Sequence, residues 1–311
     1  MTNSKKIQQG FTLVELMIAL VLGLLIAAAA LALFISAQRS MNFQSGMSSL
    51  QQNANFGLAQ IAYELRHANL NTPSEQKINN KTIGSGVVFD VSNLPLNVRA
   101  KTNADILTRQ GQSLDATDSS EDARSDQITI QFVPDVRGAT QFDCEGSHIV
   151  AGRTYVYRYF LAPLPAAQQI PNALPRYGIY CDAGYYTDSS DEIIGMGESS
   201  QLVVQNVDAF KIRFLVKNSS GNLRYATINQ YTTLMPASVL AANFHHIGGV
   251  ELGLLMTSNE AIDASDGRLN DPVQFTIAGQ TVTLRDNTRN SRYLRLPVTQ
   301  VVSFRNTLGA F

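Results

Sequence analysis

The chain has 311 residues, 44% of them hydrophobic, with a mean hydropathy of −0.05 and a formal charge of −1. This composition excludes a disordered chain and a polytopic membrane protein, and it fits one large domain or two smaller ones plus a single greasy segment. A pI of about 6.4 gives no global pull toward nucleic acid or anionic lipid, so any such binding would need a local patch.

Lys5 and Lys6 open the chain, and from Leu16 to Ile35 there are 20 consecutive residues without a charge. As a helix rising about 1.5 Å per residue, this run spans the roughly 30 Å of a hydrocarbon core. The positive-inside rule keeps the lysines in the cytoplasm and sends everything after Ile35 across the membrane. The stretch "QQGFTLVELM", residues 8 to 17, places a carboxylate, Glu15, at the head of the apolar run. A secretory signal cut after Ala28 to Ala30, or a plain single-pass anchor, would account for the greasy segment. Neither accounts for Glu15, because a carboxylate inside hydrocarbon costs at least about 3 kcal/mol and is kept where a partner awaits it.

Lys5, Lys6, then Gly10, Phe11, Thr12, Leu13, Val14, Glu15 and the following apolar run resemble the class III signal of type IV pilins and pseudopilins. The resemblance implies cleavage after Gly10 by a membrane prepilin peptidase, N-methylation of the new first residue Phe11, and retention of the hydrophobic segment. It also implies that Glu15 pairs with the N-terminal amine of a subunit in the growing filament. The chemistry is coherent: Gly10 leaves no side chain at the scissile bond, and cleavage creates an amine one helical turn from Glu15. A buried pair of this kind sets register, since an unpaired charge there is heavily penalised.

Beyond Ile35 the pattern becomes amphipathic, with Met47, Leu50, Ala54, Leu58, Ile61 and Leu65 at spacings of three and four. No proline precedes Pro73, so the sequence predicts one helix from Phe11 to Leu70. Gly46 and Gly57 read as weak points costing about 1 kcal/mol each. Gly23 with Ala27, and Ala28 with Ala32, are small-residue pairs that allow close approach of neighbouring helices.

Residues 71–126 are polar and read as a connecting loop region around a short apolar run, Val87 to Val91. From Gln127 the period switches to two: Ile128, Ile130 and Phe132 alternate with polar residues, Tyr155, Tyr157 and Tyr159 share a face, and so do Phe210, Ile212, Phe214 and Val216. Runs at 250–256, 273–277, 281–284 and 298–304 read likewise, and the turns "NSSGN" and "ASDGRLND" favour antiparallel hairpins. The expected fold is α+β: a long N-terminal helix, transmembrane in its first half and amphipathic in its second, packed on an antiparallel β-sheet. Its divisions are 1–10 leader, 11–35 transmembrane or filament-core helix, 36–70 amphipathic continuation, 71–126 connection and 127–311 periplasmic β-rich domain.

Cys144 and Cys181 fall on the exported side, where an even pair reads as a disulfide closing a loop worth about 4 kcal/mol. Two buried, unpaired thiols are the alternative. The runs "VQNVDAFKIRFLV", "GGVELGLLM" and "RYLRLPVTQVVSFRN" resemble PilW-type minor pilins. A J-type pseudopilin of a type II secretion system is the rival resemblance, with chains that are usually shorter. The K-type is disfavoured because it characteristically lacks the glutamate present as Glu15.

Little in the chain reads as catalytic. His67, His148, His245 and His246 form no ligand set, since adjacent residues on a strand point to opposite faces. No G-x-S-x-G, H-E-x-x-H, P-loop or EF-hand spacing occurs, and the acidic run from Asp115 to Asp126 matches no calcium loop. No enzyme activity, metal or cofactor is therefore expected. Arg285, Arg289, Arg292 and Arg295 with Tyr293 could contact phosphates, but arginines on a hairpin's solvent face or at a subunit contact explain them better, and no nucleic-acid binding is assigned.

The resemblance implies a filament subunit that helps initiate type IV pilus assembly and joins the tip complex. Its partners would be other minor pilins, the major pilin, the prepilin peptidase, the inner-membrane assembly platform and a large tip adhesin. It would cross the bacterial inner membrane once, with a periplasmic C-terminal domain, before passing to the cell surface. A membrane-anchored periplasmic binding domain is the reading from a different class.

Overall fold

The computed structural model describes residues 12–73, 77–113, 124–136, 140–169, 175–236, 244–261, 274–284 and 293–305. It divides into two compact units, Met1–Gly46 and Met47–Phe311. Helix α1, Leu13–Leu65, begins in the first unit and ends in the second. In the first unit its large apolar side chains, from Leu13 to Phe43, are exposed. A helix that is apolar all round has no polar face to turn to water, and this one is long and apolar enough to cross a membrane.

In the second unit α1 buries Leu50, Ala54, Leu58, Ile61 and Leu65, the stripe read from the spacing, with Met47 half-buried at its edge. The helix ends at Leu65 rather than at Leu70. Residues 66–70 form turns, and Asn69 takes the left-handed conformation at φ 67°, which stops helical propagation, while its N–H donates to the Gln131 carbonyl (3.1 Å).

Where one sheet was expected, the described residues form two main sheets, both antiparallel, and a separate two-stranded hairpin. The first has five strands in chain order: β1 (Arg109–Ser113), β2 (Ser125–Phe132), β3 (Thr154–Pro163), β4 (Tyr177–Tyr186) and β5 (Gln201–Gln205). The second has the order β11-β8-β6-β7, from β6 (Val207–Asn218), β7 (Leu223–Thr227), β8 (His245–Ala261) and β11 (Tyr293–Ser303). Asn206 alone separates β5 from β6, at φ 59°, a conformation its short polar side chain tolerates. The chain thus passes from one sheet to the other in a single residue.

The sheets meet where β2 lies beside β6, and side chains there stand in for a backbone ladder. Ser125 Oγ accepts the Phe210 N–H (2.8 Å), and Asp126 accepts the Ile212 N–H (2.8 Å) and the Gly111 N–H (3.1 Å) through its two oxygens. The α1 stripe, Tyr155, Tyr157 and Tyr159 of β3, and Phe210, Ile212, Phe214 and Val216 of β6 share one hydrophobic core. The outer face of β6 and β8 is covered by a hairpin, β9 (Gln274–Ile277) and β10 (Gln280–Thr283), through Ala209, Leu255, Phe275, Ile277, Val282 and Leu284.

The segment read as a loop is largely folded. Among its described residues, Ile78 bridges Ile247, Val87 bridges Ile130, a short helix α2 (Leu96–Arg99) forms, and β1 joins the first sheet. Val88, Leu94, Val98 and Leu107 pack on Val156 and Tyr186, on the far side of the first sheet from α1.

Candidate functional site

The expected processing residues Gly10 and Phe11 lie outside the described residues. Glu15 is described, and its contacts are local. Its carboxylate accepts from the Thr12 N–H and the Thr12 hydroxyl (3.4 Å each), and its own N–H donates to Thr12 Oγ1 (3.2 Å). This reciprocal arrangement is a capping box, in which N-cap threonine and a glutamate three residues on satisfy donors that a helix start leaves unpaired. The T-x-x-E spacing signalled it, and the sequence reading passed over it. The cap holds an anionic group at the positive end of the α1 dipole, at the point where the chain would begin after removal of residues 1–10.

Downstream of Glu15, charge is absent until Arg39, and between Arg39 and Glu64 it is absent again. On the second-unit part of α1 the buried stripe leaves an opposite face carrying exposed Phe56 and Tyr63, two turns apart. That open face is free of charge and carries the two aromatic rings among exposed Gln51, Gln52, Asn55 and Gln60.

Cys144 and Cys181 form a disulfide, Cα–Cα 6.1 Å. Cys144 sits in a tight turn in which Asp143 accepts the N–H groups of Glu145 (3.0 Å) and Ser147 (2.8 Å), and the bond ties this turn to the centre of β4. Glu145 strengthens the tie by accepting the Ala183 N–H (3.2 Å) and the Ser199 hydroxyl (2.7 Å), and burial raises its carboxyl above the usual range. Beside it, Arg158 reaches the buried Asp182 at 2.7 Å.

The remaining candidates have structural partners. Arg295 donates to Asp208 (2.7 Å) in a nearly buried ion pair, and this pairing takes it out of any phosphate-binding patch; Arg285, Arg289 and Arg292 lie outside the described residues. His67 packs against the rings of Tyr63 and Phe132, and His148 against Phe142. His245 and His246 lie in sequence on β8. Among the described residues, no group of three or more His, Cys, Asp or Glu is placed to hold a metal ion.

One charged site escaped the sequence reading. Asp126 and Lys211 are both buried, with Lys211 Nζ 3.6 Å from Asp126 Oδ1 and donating to the Arg124 carbonyl. Burial pushes the Asp126 carboxyl up to about 6, against the pull of Lys211 and two backbone N–H groups. The site lies at the sheet junction, and its geometry is that of a clasp.

Two family models match parts of the chain. The family model described as Prokaryotic N-terminal methylation motif matches residues 5–31, and the model described as Type IV Pilus-assembly protein W matches residues 183–306. The second match runs from β4 to the end of β11 and includes the three runs quoted above. A solved type IV-like pilin from Thermus thermophilus is similar over 83% of this chain and 96% of its own, at 12% identity and a TM-score of 0.32. No curated protein matches the chain.

An N-terminal methylation motif leading into an exposed apolar helix, followed by a stripe buried against antiparallel strands, defines a type IV pilin-like protein. Its second sheet carries the PilW match, and the two matches together support a PilW-type minor pilin, a class of structural protein that is anchored in a membrane by its N-terminal helix and acts with other pilins and the pilus machinery.

Proposed function

We propose that this minor pilin helps initiate type IV pilus assembly and remains in the tip complex. Residues 1–10 are the leader, removed after Gly10 by the prepilin peptidase, and Phe11 becomes the N-methylated first residue. Residues 11–35 cross the inner membrane before assembly and lie in the filament core after it, with 36–65 continuing the helix. The rest forms the periplasmic body. Glu15 pairs with an N-terminal amine of a subunit in the filament, and the other minor pilins, the major pilin, the assembly platform and a large tip adhesin are its partners.

The observation that carries this reading is the change in α1 from exposed on every side to buried along one stripe. The first part offers an apolar surface to a bilayer or to other helices, and the second holds the β-body. A body of two sheets and a covering hairpin is bulky for a subunit repeated along a thin filament, which favours the tip. After leader removal the loss of Lys5 and Lys6 leaves 22 basic against 25 acidic residues, a charge of −3.

The test is intact-mass and N-terminal peptide analysis of the protein from its native membranes, with and without the prepilin peptidase. A chain beginning at N-methylated Phe11 only when the peptidase is present is the expected result. A chain beginning near Leu31, or one retaining residues 1–10 in both backgrounds, would remove the filament reading.

A further inference from the structure

β7 is an edge strand, and its register shows which of its backbone groups point outward. Asn218 and Gly221 close the β6–β7 hairpin: the Asn218 N–H donates to the Asn222 carbonyl (3.1 Å), the Gly221 N–H donates to the Asn218 carbonyl (3.0 Å), and Gly221 sits at φ 85°. Bonded and non-bonded pairs alternate along an antiparallel ladder. Arg224 and Ala226, opposite Val216 and Phe214, therefore turn their backbone groups toward β6, while Leu223, Tyr225 and Thr227 turn theirs away. Gln230 takes the Thr227 N–H (3.0 Å) as part of the cap of helix α3 (Ile228–Leu234). Among the described residues, β6 alone pairs with β7, so the N–H and C=O groups of Leu223 and Tyr225 are left at the open edge.

Two of the other sheet edges are interrupted. β11 carries Pro297, which removes a donor, and β1 carries Gly111 at φ 68° with its N–H given to Asp126. β7 has neither device. Leu223 and Tyr225 leave 54% and 41% of their surface in solvent, an apolar pair beside an unprotected ladder. Beneath the edge, between β7 and α3, runs a cleft of about 590 Å³ lined by Arg224, Ala226, Asn229, Gln230, Thr233 and Leu234, with room for the alternate side chains of an added strand.

The charge around this edge specifies the occupant. Leu223, Lys217 and His246 stand in one row across β7, β6 and β8. Burial, and then the positive charges of Lys77 and Lys217 beside it, hold the His246 imidazole below its usual range. Arg224, exposed on β7 itself, adds another. We propose that β7 is a docking edge that takes one extended, acidic strand from a neighbouring subunit, which joins the second sheet through the outward backbone groups of Leu223 and Tyr225. The inference rests on the reading of this chain as a filament subunit.

The test is hydrogen–deuterium exchange of the full-length protein in purified filaments and as a detergent-solubilised subunit. The amides of Leu223 and Tyr225 should exchange at least about tenfold more slowly in the filament. Tyr225→Pro, which removes an outward N–H together with the ring under the Arg213 guanidinium, should block incorporation while leaving the Cys144–Cys181 bond protected from alkylation; Tyr225→Ala, which loses the ring and keeps the N–H, should incorporate. Arg224→Glu should reduce incorporation, because it repels an acidic strand. Equal exchange at residues 223 and 225 in both states, in filaments that contain the protein, overturns the docking edge and leaves the subunit reading intact. Absence of the protein from filaments in cells with an active prepilin peptidase overturns both.

Discussion

Gly57 of α1 lies directly against Val204 of β5, so that a Cβ built at residue 57 would meet the Val204 side chain, with Cγ1 at 2.9 Å and Cβ at 3.1 Å. A glycine that reads as a weak point in the helix is therefore a point of close approach between helix and sheet. Gly57→Ala gains about 1 kcal/mol of helix propensity and loses about 1–3 kcal/mol to overpacking, because Val204 is buried and a β-branched side chain has little freedom to move aside. The expected net effect is a lower melting temperature. Adding Val204→Ala should restore part of that loss, and a double variant less stable than the sum of the single changes would contradict the contact.

Asp126 gives the body a pH dependence whose sign follows from its environment. Its carboxyl is pushed from 3.8 to about 6 by burial, so the folded chain holds this proton more tightly than the unfolded one. This group's contribution therefore favours folding most below about pH 4, declines as pH rises from about 4 to about 6, and is constant above that, a change of about 3 kcal/mol. The difference in urea midpoint between wild type and Asp126→Asn, followed across that range, should show the slope, since the amide cannot titrate. At pH 4 the variant should still be the less stable by about 1–3 kcal/mol, because an Asn side chain turns a donor toward one of the Gly111 and Ile212 N–H groups.

What the sequence revealed and what it hid have separate causes. The helix was legible because a charge-free run and a three-four spacing are one-dimensional signals, and Tyr155, Tyr157 and Tyr159 were legible because a strand's period is two. β4 was missed because it is buried along nearly its whole length and "YGIYCDAGYY" does not alternate. The segment from 77 to 108 read as a loop because it is polar, yet asparagines in and beside it act as internal acceptors: Asn79 takes the Lys81 and Thr82 N–H groups (2.8 Å each), Asn93 the Phe89 N–H (3.0 Å), and Asn69, in the turn after α1, the Gly86 N–H (2.8 Å). Polarity spent inside the fold looks like solvation from the sequence alone. The division into two sheets was hidden for a related reason, since Ser125 and Asp126 substitute for backbone pairing and have no periodic signature. Glu15 stood out as a charge out of place, whereas its bond to Thr12 belongs to a spacing of three that was left unread.

The disulfide should matter to the body rather than to anchoring. Cys144 and Cys181 are 37 residues apart, and closing a loop of that size stabilises by about 4 kcal/mol in the chain-entropy model. Replacing both with alanine should lower the unfolding free energy by about that amount. The turn at residues 143–147 should then become accessible to protease, while membrane anchoring through α1 persists. Unchanged urea unfolding after reduction would show that the hydrogen bonds of Asp143 and Glu145 hold the turn without the bond.

Glu15 combines two roles that one substitution can separate. As the third residue of the capping box it donates its N–H to Thr12 Oγ1 and accepts back through its carboxylate, and glutamine serves in that position nearly as well. As the proposed partner of an N-terminal amine it needs its negative charge, which glutamine lacks. Glu15→Ala loses both roles, while Glu15→Gln keeps the cap and loses the charge. If charge pairing governs assembly, both variants should be processed at Gly10 and both should be depleted from filaments, with far fewer surface pili by electron microscopy. If the cap is what matters, Glu15→Gln should assemble normally and Thr12→Val should fail, since valine has no oxygen to accept the Glu15 N–H. The charge-pairing reading requires the opposite result for Thr12→Val: a frayed first turn costing about 1 kcal/mol, with assembly retained.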